Sequence, residues 1–369
     1  MFAAEGELLE AQGHEVIRYT AHNDAVAAMG RLALARATIW NGEQYRALRA
    51  LFAARKPDVV HVHNTLPLIS PAVYDAAKRE GAAVVQTLHN YRLVCPSGLL
   101  FRDGGPCRDC VGRAVPWPGV RHGCYRDSRA ASAVVAAMLA LHRARGTYHR
   151  MVDRYVALTD FAKATFVAGG LPAERIEVKP NFVATDPGYG QGNGGYALYV
   201  GRLSEEKGVR VLLDAWSHTG GGLPLRIVGA GPLTPYVAER AAGLEGVTLV
   251  GRVDPGDVAG FMRDAALLVM PSVWFEGMPM TILEAFAAGT PVVASALGAM
   301  AAMIEHGRTG RLFTPGDPQA LAAELRWCAE APERLRGMRE TARAVYRSRY
   351  SAESNYRRLM EIYRAALED

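Results

Sequence analysis

Apolar and polar positions along this chain alternate between a strand period and a helix period. Short apolar runs rich in β-branched residues occur at DVVHVHN (58–64), AAVVQTLHN (82–90), RYVALTD (154–160) and IEVKPN (176–181). Segments with helical periodicity lie at 44–54, 71–80, 128–150 and 161–168. Continuous apolar strands separated by helices predict a parallel sheet that is covered on both faces.

The stretch TDPGYGQGNGG (185–195) breaks both periods, and a second alternating series follows it. Its predicted strands are YALYVGRL, LRIVGAGP, VTLVGRV, ALLVMPS and PVVASA, with helices from Lys207, from Thr234, over 255–264 and after Pro279. The fold class is therefore α/β, with two Rossmann-like doubly wound domains facing a central cleft. We predict domains at 1–184 and 196–350, a linker at 185–195, and a last helix (351–369) that packs back at the domain junction.

The start of the chain departs from this plan. Residue 1 already lies in the first predicted helix, and HEVIRYT (14–20) has the pattern of a second strand. A doubly wound domain normally opens with a central strand and a Gly-rich turn. We therefore expect that the first strand is missing and that the N-terminus is truncated.

Charge is distributed unevenly along the 369 residues. Residues 1–180 carry 23 Lys+Arg and 16 Asp+Glu, a net +7, whereas the total of +5 leaves −2 for residues 181–369. The basic half suits an anionic or membrane-surface partner, and an Arg-rich solvated surface is the alternative. No nucleic-acid motif accompanies it, so nucleic acid is not expected. The sequence has no apolar run long enough to span a membrane and no signal peptide. We therefore expect a cytoplasmic protein that could act at the inner face of the membrane.

The stretch FEGMPMTILEAFAAGTPVVAS (275–295) carries the most specific chemistry. Glu276 lies in a Gly/Pro loop, and Glu284 lies one turn into the helix that follows. The start of that helix would direct the free backbone N–H groups of Gly277, Met278, Met280 and Thr281 at an anion, and Pro279 suits the first turn because its missing N–H is not needed there. Carboxylates on either side of a phosphate site suit the hydroxyls of a ribose and of a sugar, the layout of a nucleotide sugar.

Two strand-to-helix turns upstream add candidates. In VGRLSEEKG (200–208), Arg202 and Lys207 are placed to reach a diphosphate, and Lys207 is the only lysine after residue 180. The alternative for Lys207 is a solvated pair with Glu205 or Glu206. In VGAGP (228–232), Gly229 allows a close-approach turn beside a nucleotide, or simply a turn that packs a helix on the sheet.

These motifs, in this order and spacing, resemble the retaining glycosyltransferases of family four (group 1), which have the GT-B fold. The resemblance implies that Glu284 binds ribose, Glu276 binds the donor sugar, and Arg202 and Lys207 neutralise the diphosphate. It implies backbone contacts from 277–281 and places Val253 at the base. His89 would lie near the reacting centre; a buried core histidine is the alternative. His61 and His63 suit a structural or an acceptor-lining role equally well.

The resemblance also implies a reaction. A nucleoside diphosphate sugar would donate its sugar, with retained configuration, to a saccharide or lipid-linked acceptor bound by the N-terminal domain, as in polysaccharide biosynthesis. No DxD pair occurs in a suitable loop, so no cofactor or catalytic metal is expected. Two other hypotheses stay open: a catalytically impaired nucleotide-sugar-binding relative, and a nicotinamide dehydrogenase that shares the Rossmann topology.

Four cysteines form a second cluster: Cys95, Cys107, Cys110 and Cys124, spaced C-x11-C-x2-C-x13-C. The residues between them are typical of loops. Four thiolates with one C-x2-C knuckle can bind Zn tetrahedrally and staple a loop that has little core. The sequence therefore leaves a structural zinc site and four reduced thiols as alternatives. Disulfides are not expected in a cytosolic protein.

Overall fold

The computed structural model describes residues 1–368, apart from the side chain of Pro255, and the chain divides into two compact units. The first unit comprises Met1–Arg102, Cys107–Pro180 and the residues from Tyr356 onward. The second comprises Asp103–Pro106 and Asn181–Asn355. The stretch 185–195 belongs to the second unit, where the amides of Gly190 and Gly192 donate to the carbonyls of Ala288 and Arg263.

Helices and short strands alternate from the N-terminus to residue 180. The helices are α1 Phe2–Ala11, α2 Arg31–Ile39, α3 Gly42–Arg55, α4 Ala72–Arg79, α5 Trp117–Arg121, α6 Arg129–Ala144, α7 Thr147–Arg150 and α8 Asp160–Ala168, with 3-10 turns at Asn23–Ala28 and Ala173–Arg175. The strands are β1 Val59–Val62, β2 Ala83–Leu88, β3 Phe101–Arg102, β4 Gly105–Pro106, β5 Arg154–Ala157 and β6 Ile176–Val178.

The sheet of the first unit is parallel, as predicted. Its order is β1-β2-β5-β6, and Val62 lies opposite Gln86 while Leu88 lies opposite Ala157. Every residue of β2 is buried, because a central parallel strand is covered by helices on both faces. The carboxyl ends of β1 and β2 therefore meet at one edge of this sheet.

The second unit continues the alternation. Its helices are α9 Val209–Trp216, α10 Thr234–Ala242, α11 Pro255–Asp264, α12 Met280–Ala288, α13 Gly298–Met303, α14 Pro318–Glu330 and α15 Pro332–Val345, followed by a π-helical turn Tyr346–Tyr350. The last helix, α16 Ala352–Leu367, belongs to the first unit from Tyr356 onward. Its strands are β7 Ala197–Val200, β8 Leu225–Val228, β9 Val247–Gly251, β10 Leu267–Met270, β11 Val292–Ser295 and β12 Gly310–Phe313.

These six strands form one parallel sheet with the order β12-β11-β10-β7-β8-β9. The order runs outward from β7 in one direction and from β10 in the other, so the direction of winding changes between these two strands. That point is where open α/β sheets bind ligands, outside the carboxyl ends of the strands. A core with Leu212, Ile227 and Val269 fixes the helices against the sheet.

Helix α16 packs on the sheet of the first unit. Ile362 and Ala366 share a buried cluster with Ala83, Val85 and Val156. Leu359 on the same helix is also buried. The predicted domain limits stay a prediction.

Four predictions of local structure are wrong. Residues 14–20 form no strand, because no neighbouring described strand forms hydrogen bonds with them. Arg18 instead pairs with Glu10, and Ile17 is exposed. The helix predicted over 128–150 is split into α6 and α7 at Gly146, whose φ is +68°. The helix predicted from Lys207 begins at Val209, after a 3-10 turn. Pro279 is the N-cap of α12 and not its first residue.

Candidate functional site

The predicted site residues of the second unit follow four strands that are neighbours in its sheet. Glu276 follows β10, Lys207 with Arg202 follows β7, Gly229 follows β8, and Val253 follows β9. Because all four strands are parallel, these residues lie at one edge of the sheet. Residues that are far apart in the sequence are thus brought to the point where the winding changes.

Lys207 and Glu276 form a direct ion pair at this edge. Lys207 Nζ donates to Glu276 Oε1 at 2.8 Å, and Ser272 Oγ donates to the same oxygen at 2.8 Å. Glu276 is 4% exposed. The pairing of Lys207 with Glu205 or Glu206 is not what the structure shows, since Glu205 bonds Arg210 and Glu206 accepts from Ser204.

Gly208 allows the two loops that carry this pair to approach. Its φ is +69°, and a Cβ there would lie 1.9 Å from the carbonyl oxygen of Pro271. The amide of Val273 donates to the carbonyl of Glu206 at 3.0 Å and closes the contact. The positive φ and the missing side chain are thus both needed to bring Lys207 to Glu276.

Ser272 and Trp274 are further candidate site residues, which the sequence did not indicate. The Lys207 ammonium lies 5.4 Å from the centre of the Trp274 ring, within the range of a cation–π contact. The buried Trp274 Nε1 has no hydrogen-bond partner among the described residues. Their position between the end of β10 and Glu276 was the signal that could have identified them.

The first turn of α12 presents backbone donors that the protein itself does not use. No hydrogen bond between described residues involves the amides of Gly277, Met278, Met280 and Thr281. Pro279 has no N–H, so it shapes the helix start without donating. Such a turn carries a partial positive charge and favours an anion.

Glu284 lies on the same helix, four residues after its start. Burial raises the pKa of its carboxyl group. No described residue donates a hydrogen bond to the Glu284 carboxylate or forms an ion pair with it. A half-buried carboxylate without a partner costs free energy, and such groups are concentrated at functional sites.

Arg202, Gly229 and Val253 complete the edge. Arg202 is exposed, and no described residue pairs with its guanidinium. Gly229 has φ +140°, and a Cβ there would lie 1.9 Å from the carbonyl oxygen of Gly201. The protein's own backbone therefore explains this glycine, which favours the packing turn. Val253 is half-buried in the turn after β9.

His89, the candidate of the first unit, follows β2 and belongs to a chain of polar side chains. His89 Nε2 lies 2.8 Å from His63 Nδ1, and His63 Nε2 faces Glu5 Oε2 at 3.4 Å. A carboxylate beside Nε2 favours the proton on that atom, so His63 Nδ1 accepts from His89 Nε2–H. The other ring nitrogen of His89, Nδ1, is then an acceptor. The sequence did not indicate Glu5.

The histidines at this edge are held neutral. Burial lowers the pKa of His89 to about 4, that of His61 to about 3 and that of His63 to about 2, and the Lys179 ammonium adds to each shift. Lys179 is itself buried and pairs with Glu5. His61 bonds Tyr363 Oη through Nδ1 and Thr87 Oγ1 through Nε2, both at 2.8 Å, which favours its structural role.

Ligand atoms of Glu5, His61 and His63 lie within 4.8 Å of one another, close enough for a metal ion. The chemistry of the surroundings argues against one. Lys179 already neutralises the Glu5 carboxylate, and a second cation would lie beside its ammonium. Both nitrogens of His61 are used by Tyr363 and Thr87. We interpret this cluster as a hydrogen-bonded network that orients His89.

All four clustered cysteines lie in the first unit, and they line one small cavity with Ser97, Leu100, Phe101, Arg102 and Gly119. The cavity has a volume of about 10 Å³, room for one water-sized occupant. All five cysteines of the chain are free thiols, and Cys328 is buried alone on α14. Burial raises the pKa of Cys110 to about 12.

Two family profiles match nearly the whole chain. "Glycosyltransferase Family 4" matches residues 5–187, and "Glycosyl transferases group 1" matches residues 194–331. No helix among the described residues has both the length and the hydropathy needed to span a bilayer.

Similar proteins are named as sugar transferases. The D-rhamnosyltransferase WbpZ of Pseudomonas aeruginosa is 36% identical over 161 residues, which cover 42% of each chain, so the match spans less than half of that relative. The D-inositol 3-phosphate glycosyltransferase of Streptomyces coelicolor is 29% identical over 84% of this chain and 69% of its own length. The structure of Anabaena Alr3699/HepE in complex with UDP has 20% identity and a TM-score of 0.66, covering 86% of this chain and 80% of that one. That similarity shows the same fold.

Proposed function

Because this chain belongs to the glycosyltransferases of family 4 (group 1), we propose that it transfers a sugar from a nucleoside diphosphate sugar to a saccharide or lipid-linked acceptor. The observation that carries the proposal is the edge of the second sheet where Lys207 pairs with Glu276 beside the unused amides of α12. Cations, anion-binding amides and two carboxylates there match the phosphates and the hydroxyls of such a donor.

Each group has a role in this proposal. Lys207, Arg202 and the amides of α12 bind the diphosphate, Glu276 binds hydroxyls of the transferred sugar, and Glu284 binds the ribose. The α-helix rises about 1.5 Å per residue, so Glu284 lies about 6 Å along the axis from the start of α12. That separation lets one helix serve the phosphate with its first turn and the ribose with its second. The backbone at Val253 contacts the base.

The proposed reaction follows from where charge develops. The bond between the anomeric carbon and the phosphate oxygen breaks, and the nucleoside diphosphate leaves with both electrons. Lys207, Arg202 and the helix start stabilise that negative charge, so no catalytic metal is required. The acceptor oxygen attacks on the face that the phosphate leaves and passes its proton to a phosphate oxygen. Attack on that face retains the anomeric configuration.

The first unit supplies the acceptor side and His89. Since burial holds the pKa of His89 near 4, the ring is neutral at neutral pH and acts as a hydrogen-bonding group. The network from Glu5 through His63 fixes His89 with Nδ1 as an acceptor, suited to a hydroxyl of the donor sugar or of the acceptor. The Cys-rich segment (95–124) follows β2 in the sequence and, except for Asp103–Pro106, belongs to this unit.

We also propose that the first unit touches an anionic membrane surface, at the inner face of the cytoplasmic membrane. Val115 and Trp117 are about half exposed, and they stand among the exposed arginines Arg108, Arg113 and Arg121. Arg113 lies over the Trp117 ring at 5.5 Å. An exposed tryptophan among basic side chains suits the boundary between headgroups and acyl chains.

A panel of UDP-, GDP- and ADP-sugars tests the donor class by thermal stabilisation, starting with UDP-glucose, with which HepE was solved. We expect at least one donor to raise the melting temperature of the wild type, because a ligand that binds only the folded state stabilises it. Glu284→Ala should lose most of that shift. Glu333→Ala, which removes an exposed carboxylate paired with Arg336, is the matched control and should keep it.

Three results would separate the alternatives. A wild type that binds a nucleotide sugar but neither hydrolyses nor transfers it would support an impaired relative. A wild type that no nucleoside diphosphate sugar stabilises would contradict the proposed function. Stabilisation by NAD with hydride transfer would assign a dehydrogenase instead.

A further inference from the structure

The Cys-rich segment between β2 and α6 is long and has little regular structure. In the 40 residues between these two elements (89–128) the only regular elements described are the two-residue strands β3 and β4 and the five-residue helix α5. Several residues have positive φ, among them Leu100 at 51° and Asp103 at 51°. Loops of this length without a staple are uncommon in compact domains. Something other than a large apolar core should therefore hold this segment in one conformation.

The amides of three of the four cysteines are held by backbone hydrogen bonds. The amide of Cys95 donates to Tyr91, that of Cys107 to Leu100 and that of Cys124 to Gly119, at 2.9, 2.7 and 3.0 Å. The side chains of all four nevertheless converge on the same cavity. Convergence of four thiols from separate stretches of the chain, one of them a C-x2-C knuckle, is the arrangement by which tetrathiolate metal sites hold small loops together.

The side-chain partners of these sulfurs are weak. Cys95 Sγ lies 3.2 Å from Ser97 Oγ, and Cys110 Sγ donates to the carbonyl of Pro116 at 3.8 Å. The positive charge beside the cavity belongs to Arg102, which pairs with Asp109 at 3.0 Å. Four thiolates around a divalent ion carry a net charge of about −2, which a nearby guanidinium stabilises.

We propose that Cys95, Cys107, Cys110 and Cys124 bind one structural zinc ion that fixes this segment. The cavity has room for a single small occupant, which favours one ion over an iron–sulfur cluster. A Zn–S distance of about 2.3 Å places tetrahedral sulfurs roughly 3.8 Å apart. Among the described residues, no three of these sulfurs lie within 4.8 Å of one another, so the sulfurs must move inward when the metal binds.

Metal content tests the site without reference to activity. The full chain, purified in reductant without a metal-binding tag, should contain one zinc per molecule by mass spectrometry. Cys107→Ser and Cys124→Ser should each lose most of the zinc. Cys328→Ser is the matched control, because Cys328 is a buried free cysteine on α14, and it should retain the metal in full.

A second measurement uses only the wild type, so it tests the site even if the cysteine variants do not fold. Refolding or growth of the wild type with Co²⁺ should give the intense thiolate-to-metal absorption of a tetrahedral tetrathiolate centre. A folded wild type without stoichiometric metal would overturn the proposal, as would iron with sulfide, disulfides between these cysteines, or equal zinc loss in Cys328→Ser. Since neither readout involves a nucleotide sugar, failure here leaves the proposed transferase function untouched.

Discussion

At the scale of single residues, the ion pair between Lys207 and Glu276 offsets the free-energy cost of removing each charge from water. The Glu276 carboxylate is nearly inaccessible, and it accepts from Lys207 and Ser272. A buried carboxylate that loses such a partner is costly, so the pair also fixes the geometry of the loop. In the proposed reaction, Lys207 offers its remaining N–H donors to the departing phosphate.

Lys207→Ala should therefore slow turnover strongly in a chain that still folds, although loss of the partner of Glu276 should lower its free energy of unfolding. Loss of one group that stabilises charge in the transition state typically reduces kcat by about 10²–10³-fold. Steady-state kinetics with the donor identified by the panel would measure the effect. Arg210→Ala is the control, since Arg210 follows three residues later and makes an exposed pair with Glu205. Wild-type kcat in Lys207→Ala would remove Lys207 from the mechanism.

The buried histidines predict a loss of stability in mild acid. His61 has an ordinary pKa of 6.5, which burial lowers to about 3 in the folded chain. Below pH 6.5 the unfolded chain binds a proton that the folded chain does not, so the free energy of unfolding falls as the pH drops from 6.5 toward 3.

Urea unfolding at pH 7 and pH 5 would measure this dependence. His61→Gln should reduce the loss of stability between the two values, because one buried histidine is removed. His149→Gln, at an exposed position of α7, should leave the loss unchanged. An equal pH dependence in wild type and His61→Gln would contradict the assignment.

At the scale of elements, the loop after β10 and the turn before α9 are joined through Gly208. Gly208→Ala forces a Cβ against the Pro271 carbonyl at a positive φ, so we expect destabilisation by more than about 1 kcal/mol and a displaced Lys207. Thermal unfolding and donor affinity should both fall. Gly337→Ala, in α15 with open space around its Cβ position, should be neutral or stabilise by about 0.4–1 kcal/mol. Unchanged donor affinity in Gly208→Ala would show that the contact does not position the site.

Most elements were predictable because strong local signals agreed with the final packing. The buried strand β11 and the end of α12 at Gly289, with φ +75°, follow directly from FAAGTPVVAS. The pattern of 14–20 misled, because an alternating segment becomes a strand only where a neighbouring strand pairs with it. The break at Gly146 was hidden by good helix formers on both sides.

The site was predictable in part. Motif spacing predicted Glu276, Glu284 and Lys207 as candidates, but the sequence could not show that Lys207 pairs with Glu276, 69 residues away. The sequence could not indicate the role of Glu5 for a similar reason, because its buried partner, Lys179, is 174 residues away. Contacts of this kind depend on the order of strands in the sheet, which local patterns do not encode.

At the scale of the whole molecule, the charge asymmetry becomes a prediction about membranes. The chain should float with vesicles that contain phosphatidylglycerol and not with pure phosphatidylcholine, and added salt should release it. Replacing Arg108, Arg113 and Arg121 by Gln should weaken flotation, and so should Trp117→Ala. Val167→Ala, at an exposed position of α8, is the control. Equal flotation with neutral vesicles, or none with anionic ones, would contradict the membrane contact.

The central claim is that the second unit binds a nucleoside diphosphate where its sheet changes winding, and a crystal structure with UDP or the best ligand of the panel tests it most directly. We predict phosphate oxygens within hydrogen-bond distance of Lys207 Nζ and of the amides at the start of α12, with the ribose hydroxyls on Glu284. A diphosphate bound elsewhere on the chain, with Lys207 and Glu284 free of it, would contradict the account.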